Sequence, residues 1–329
     1  MLNRRRVVLV LQITVAAVAV VYVLWLVDWR RAAEVLGQAD VRWLAAAFAL
    51  LLFSFIPAAL RWTGLLQAMG VEYGRLAAYR TYLTGAFYGL AMPGVVGGDA
   101  ARVWFCLRQT QAPVTLVVGT VLAERVLGVV ALLLILSVGV YFYPAQSIGS
   151  NIEWAPAVAL ILVAAIAGLP WMLRRMSFTT SRVTSRRYGR WENRFRRVLK
   201  QLTPIKRLRA LHLLGGLALS VVFQTFDILA TYAIGQALSL EVSMQTLLIA
   251  MPIVYLATVL PISPGGLGVR EATLVIVLAQ FGLSAPDAAL LAVTVFLNRV
   301  AIGLVGAGQH LASGPRMPRE TTGLNREEA

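Results

Sequence analysis

The stretch "PISPGGLGVREATL", residues 261–274, places two prolines, three glycines, an arginine and a glutamate between two runs apolar enough to enter a bilayer. Proline withdraws a backbone donor, and glycine permits close approach and left-handed geometry. Such a break is tolerated at membrane depth only where the freed backbone groups face protein or a cavity. The stretch therefore predicts a helix interrupted inside a membrane, with polar groups gathered at the interruption.

Composition agrees with that solvent. The chain of 329 residues is 59% hydrophobic and 14% charged, with a mean hydropathy of +0.74, whereas soluble domains carry about 25% charged residues. Val7 to Val27 follows Arg4, Arg5 and Arg6 and is long enough to span, which makes it a retained signal anchor rather than a cleaved signal. Further full spans are expected at 41–61, 114–141, 154–173, 211–236 and 286–309. Two other apolar regions, 76–110 and 246–283, are each broken in the middle. Cys106 is the single cysteine, and His212 and His310 stand alone, so the sequence shows no disulfide and no metal cluster.

The net charge of +15 would point to nucleic acid in a soluble protein, but its placement points elsewhere. Residues 174–209 hold 13 Lys or Arg against Glu192 alone, which marks a cytoplasmic loop. Within it Trp191, Phe195, Val198, Leu199 and Leu202 recur at helical spacing among basic residues until Pro204, as an interfacial helix on an anionic leaflet would. A plain topology determinant explains the same charge. With both termini cytoplasmic, basic residues divide 22 inside to 3 outside, Arg61, Arg75 and Arg80 being counted in the first inside loop. The expected location is the plasma (inner) membrane.

The opening stretch has a partner in "MPGVVGGDAARVW", residues 92–104. Pro93, Gly94 and Gly97 match Pro264, Gly265 and Gly268 at an offset of 171, and Arg125 in "AERVLGVV" matches Arg299 in "LNRVAIGLVG" at an offset of 174. Each half then reads as two spans, a broken re-entrant hairpin and one more span. Three full spans per half turn the second half upside down, an inverted repeat of the kind that builds secondary transporters. The expected fold is an all-α polytopic membrane protein. Its parts are a first membrane repeat (1–141), a span of the second repeat (142–173), the basic cytoplasmic loop (174–209), the rest of the second repeat (210–310) and a disordered cytoplasmic tail (311–329).

Eight charged residues fall inside the membrane regions: Asp99, Arg102, Glu124, Arg125, Asp227, Arg270, Glu271 and Arg299. Left alone they would cost roughly 20–28 kcal/mol on an insertion scale. They must pair, reach water or meet a substrate, and the equal number of each sign favours pairing. Asp99 and Arg102 share a helix face, and Asp99 aligns with Arg270 across the repeat, which suggests a pair between the two tips. The four arginines also present forked donors suited to phosphate, and the ends of broken helices add positive dipoles. The four acids can carry protons or exchange partners, and Asn298 stands where the first half has Glu124. The candidate substrate site is therefore Gly97, Gly98, Asp99, Arg102, Glu124, Arg125, Asp227, Gly265, Gly266, Gly268, Arg270, Glu271, Asn298 and Arg299.

The paired "PGVVGGDAARVW" and "SPGGLGVREATL", with "ERVLGVV" between them, resemble the lysylphosphatidylglycerol synthase transmembrane region family, also called flippase-like or UPF0104 proteins, over about residues 7–310. The resemblance implies movement of lipids between leaflets, including aminoacylated phosphatidylglycerol, and points to the two glycine motifs with Glu124 and Arg125. Bifunctional members carry a soluble synthase domain; here only about 19 residues follow His310, so lipid aminoacylation by this chain is not expected.

The expected function is transport of a phospholipid or polyprenyl-phosphate lipid through a polar cavity between the hairpins. No cofactor is called for and no GxxxxGK[ST] loop occurs, so ATP is not the expected driver. An intramembrane enzyme acting on a lipid-linked substrate lacks an activated nucleophile in this reading. A non-catalytic partner of a cell-envelope biosynthetic enzyme, docked through the basic loop, is the alternative.

Overall fold

In a computed structural model, residues 4–91, 97–142, 209–259, 263 and 266–313 are described, and they form ten α-helices with no strand among them. These are α1 (Arg4–Leu26), α2 (Trp29–Gly37), α3 (Val41–Ala68), α4 (Arg75–Ala91), α5 (Gly97–Thr110), α6 (Val114–Phe142), α7 (Ala210–Ala237), α8 (Met244–Val259), α9 (Val269–Gln280) and α10 (Ala285–Ser313). The expected span at 154–173, the basic loop apart from Arg209, Gly265 and the tail from residue 314 lie outside the described residues.

Four helices, α3, α6, α7 and α10, run for 28 or 29 residues and are apolar enough to cross a membrane. At 1.5 Å per residue each reaches about 42 Å, more than the ~30 Å hydrocarbon core. The two broken regions behave differently. Region 76–110 forms α4 and α5, of 17 and 14 residues, and region 246–283 forms α8 and α9, of 16 and 12. Each of these helices is about 18–26 Å long, too short to span alone. Gly266 and Gly268 adopt φ of +75° and +76°, which L side chains avoid, so the second break falls where the glycines stand.

Between the first two expected spans stands α2, whose first turn is capped by Asp28: its carboxylate accepts from the Arg30 and Arg31 amides at 3.1 and 3.2 Å. Arg61 does not sit in a cytoplasmic loop, because α3 continues for two more turns to Ala68 and buries it. The span looked finished at Arg61 because a lone arginine reads as a membrane edge; a buried counter-charge, described below, keeps it inside.

Packing follows a crossed pattern. The most extensive contact is between α3 and α7; α4 packs on α10, α6 packs on α8, and the short helices pair as α4 with α5 and α8 with α9. Ile228, Leu247, Leu274 and Leu291 are almost wholly buried where α7, α8, α9 and α10 meet. Phe53, Ile56, Leu297 and Leu304 face outward from the long helices, as lipid contact requires, and Trp25, Trp29 and Trp43 are exposed around α2 in the manner of an interfacial aromatic belt. Small residues let the backbones approach. A Cβ on Gly98 would lie 2.6 Å from the Gly85 carbonyl oxygen, where α5 crosses α4, and a Cβ on Gly306 would lie 2.0 Å from the Leu83 carbonyl oxygen, where α10 crosses α4.

Replacing Gly306 with Ala should therefore force α10 away from α4 and lower stability by about 1–3 kcal/mol. Gly308→Ala, in the same helix with no atom within 4 Å of its added carbon, should be neutral or stabilising by up to about 1 kcal/mol. Thermal unfolding of the two variants in detergent separates the outcomes; equal midpoints would contradict the close α4–α10 crossing.

Candidate functional site

The charged residues that the apolar sequence cannot leave alone form two networks, one in each half. In the first, Glu124 on α6 is 3% exposed and accepts from three helices. Arg61 Nε on α3 donates to Oε1 at 3.0 Å, Tyr82 on α4 donates to the same oxygen at 2.6 Å, and Arg102 on α5 donates to Oε2 at 2.5 Å. Arg61 also donates to Ser220 on α7 at 2.8 Å. The Arg102 guanidinium lies 3.7 Å from the centre of the Tyr82 ring and 4.5 Å from that of Trp62, so its faces are covered by aromatic π-systems. Arg102 reaches Asp99 at 3.2 Å, the i,i+3 pair expected from sequence, and Asp99 in turn takes Arg125 at 2.5 Å. Charges of alternating sign thus run Arg61, Glu124, Arg102, Asp99, Arg125.

The second network is smaller. Asp227 on α7 accepts Arg299 of α10 on both oxygens at 2.9 Å, and the Tyr255 hydroxyl of α8 donates to Oδ2. Arg299 also donates to that hydroxyl oxygen at 2.5 Å. In each half, then, an ion pair joins the first long helix after the half begins its core (α3, α7) to its last (α6, α10), and a tyrosine from the first short helix (α4, α8) completes it. The polarity is exchanged: arginine on α3 and glutamate on α6, but aspartate on α7 and arginine on α10.

Between the networks lies a cavity of about 280 Å³. Its polar wall is Gly97, Gly98, Asp99 and Arg125 from the first half and Arg270 and Arg299 from the second; Leu51, Phe55, Leu267 and Phe296 supply apolar surface. The lining holds three guanidinium groups and one carboxylate. Both Asp99 oxygens are already engaged, and so are both oxygens of Asp227 behind Arg299. A guanidinium offers five N–H donors and accepts none. Positive charge therefore exceeds negative in the described lining, by three guanidinium groups to one carboxylate.

The candidate residues divide accordingly. Gly97, Gly98, Asp99, Arg125, Arg270 and Arg299 meet at the cavity, while Arg102, Glu124 and Asp227 hold its charged wall from behind. Asp99 pairs with Arg102 and Arg125, and Arg270 shares the cavity with it. Glu271 caps α9 by accepting the Gly268 amide at 2.8 Å. Gly268 is packing surface for α1, since a Cβ there would lie 2.7 Å from the Ala16 carbonyl oxygen; Gly266 lies in the turn before α9. Asn298 stands apart from the cavity lining and donates to the Ala47 carbonyl of α3 at 3.3 Å. Arg61, Ser220, Tyr82 and Tyr255 were not among the candidates. Arg61 carried a signal, a cation in an apolar run, whereas the tyrosines look like any membrane aromatic until their hydroxyls are placed.

A family model described as the lysylphosphatidylglycerol synthase TM region matches residues 9–306. A UPF0104 membrane protein of Pyrococcus horikoshii is 23% identical over 288 residues, covering 79% of this chain and 84% of that relative.

Glu124→Gln removes the one carboxylate that two buried arginines share and should destabilise the protein by about 3–5 kcal/mol. Arg125→Gln, at a side chain 45% exposed, should cost about 0–1 kcal/mol. Unfolding midpoints in detergent measure both, and an Arg125 effect as large as that of Glu124 would overturn this ranking.

Proposed function

This chain belongs to the lysylphosphatidylglycerol synthase transmembrane region family, and from that premise we propose that it is a flippase-like lipid transporter. A lipid headgroup passes through the cavity between the two broken helix pairs while its tails stay in the bilayer. The observation that carries the reading is the cavity wall, where Arg125, Arg270 and Arg299 meet from both halves. An excess of cationic, forked guanidinium groups in a confined site suits phosphate oxygens. A headgroup amine would find the carboxylates of this wall already engaged. The substrate class is therefore an anionic phospholipid or a polyprenyl phosphate.

The crossed packing supports an inverted repeat within this reading. Pairing α4 with α10 and α6 with α8 around a central α3–α7 contact is what a two-fold relation between the halves produces. The short helices α4, α5, α8 and α9 then act as two re-entrant hairpins whose breaks line a site near the midplane. The excess of basic residues in the loops read as internal supports cytoplasmic termini in a plasma membrane, Arg61 no longer being counted among them. The reading assigns the chain no catalytic step and no ATP-driven one.

With Cys106→Ser as background, Gln38→Cys should label from the outside of intact cells and Glu72→Cys only after permeabilisation; the reverse result would invert the orientation. For transport, purified protein is placed in liposomes carrying labelled phosphatidylglycerol, aminoacylated phosphatidylglycerol or polyprenyl phosphate, and outer-leaflet accessibility is followed. Wild type should move an anionic lipid, and Arg270→Ala should slow it about 10- to 150-fold, the equivalent of a charged hydrogen bond of about 1.5–3 kcal/mol. Movement of no lipid by folded wild-type protein would end the transporter reading.

A further inference from the structure

The two networks differ in how firmly they hold their carboxylate. Glu124 is gripped from α3, α4 and α5 and does not touch the cavity lining. Asp227 is different. Its cation, Arg299, is itself part of the cavity wall and is 20% exposed, while Asp227 lies behind it at 7%. Its carboxylate accepts from Arg299 Nη2 through both oxygens, on a guanidinium that also borders the cavity.

We propose that Asp227 is a built-in competitor for the substrate anion, and that headgroup entry exchanges Asp227 for phosphate on Arg299 with uptake of one proton by Asp227. This rests on the transporter reading and adds the group that links transport to protons. The exchange balances simply: the phosphodiester takes the guanidinium, Asp227 loses its cation, and its carboxylate takes one proton from the buffered solvent, by way of the cavity, to become a carboxyl group. Tyr255 makes this possible, because its hydroxyl can rotate from donating to the carboxylate to accepting from the carboxyl.

The groups facing Asp227 are Tyr255 from α8, Arg299 from α10 and Arg270 from α9, while Glu271 of α9 caps its own helix at Gly268. On the other long helices against α7, Arg61 of α3 engages Ser220, two turns from Asp227, and Glu124 of α6, and Arg125 of α6 engages Asp99. Arg270 remains beside the vacated carboxylate, so the added proton also removes a competing negative charge from the second guanidinium of the wall. The bound state holds one proton more than the free state, so binding strengthens as pH falls, by up to about tenfold per pH unit.

The test is calorimetry of the full chain in detergent with dihexanoyl-phosphatidylglycerol, whose phosphodiester keeps one negative charge between about pH 5 and 9. Titration in two buffers of different ionisation enthalpy counts the protons. Wild type should take up close to one proton per lipid bound and bind more tightly at lower pH. Asp227→Asn should take up none and bind at a pH-independent level at least tenfold above wild type at the alkaline end, whereas a purely structural role predicts weaker binding. If Asp227→Asn does not fold, Tyr255→Phe serves: removal of one donor from the carboxylate should move the pH midpoint of binding upward. Binding without proton uptake at any pH overturns the inference and leaves the transporter reading intact. Absence of binding by folded wild-type protein overturns both.

Discussion

Everything polar in this molecule depends on the attraction between carboxylate and guanidinium in a medium that solvates neither. Removing one partner of such a pair leaves an uncompensated charge, which costs several kcal/mol, so each ion fixes where its partner's helix can lie. Glu124 binds α6 to α3, α4 and α5 in this way, and Arg61 carries the tie on to α7 through Ser220. Asp227 does the same for α7, α8 and α10. Apolar side chains alone would discriminate poorly among ways of arranging these helices, because lipid tails solvate leucine as well as another helix does. The ions choose the arrangement, and glycines at the crossings let it close.

Much of this was legible because membrane insertion makes charge expensive and proline and glycine informative. The long spans, the two breaks and the i,i+3 contact of Asp99 with Arg102 follow from run length, helix breakers and helical periodicity. The reach of α3 beyond Arg61 was not legible, since its justification is a glutamate 63 residues away. Tyr82 and Tyr255 were hidden for a similar reason: a tyrosine's apolar ring satisfies the span pattern, and its hydroxyl matters only once a carboxylate on another helix is in place. Asn298 misled through alignment. The sequence alignment of the two halves set it against Glu124, yet its amide serves the Ala47 carbonyl, and the acid that pairs with Arg299 stands on α7.

The two units also differ in their surroundings. The same three-part unit of acid, arginine and tyrosine occurs in both, but in the first half it lies deep among α3, α4, α5 and α6, and in the second its arginine faces the cavity. One unit is enclosed by four helices, while the other borders the cavity through its arginine.

The turn at Gly268 carries one more consequence, for biogenesis. Its α-carbon is covered by the backbone of α1 around Ala16 and Val20, so α1 is shaped to fit a turn made about 250 residues later. At a synthesis rate of about 5–20 residues per second, α1 waits in the bilayer for roughly 10–50 s before its seat exists. During that interval the surface around Ala16 and Ala19 meets lipid or an insertion factor instead of the turn at Gly268. Segments made far apart in time are thus neighbours in space, and this contact cannot close until the second break has been made.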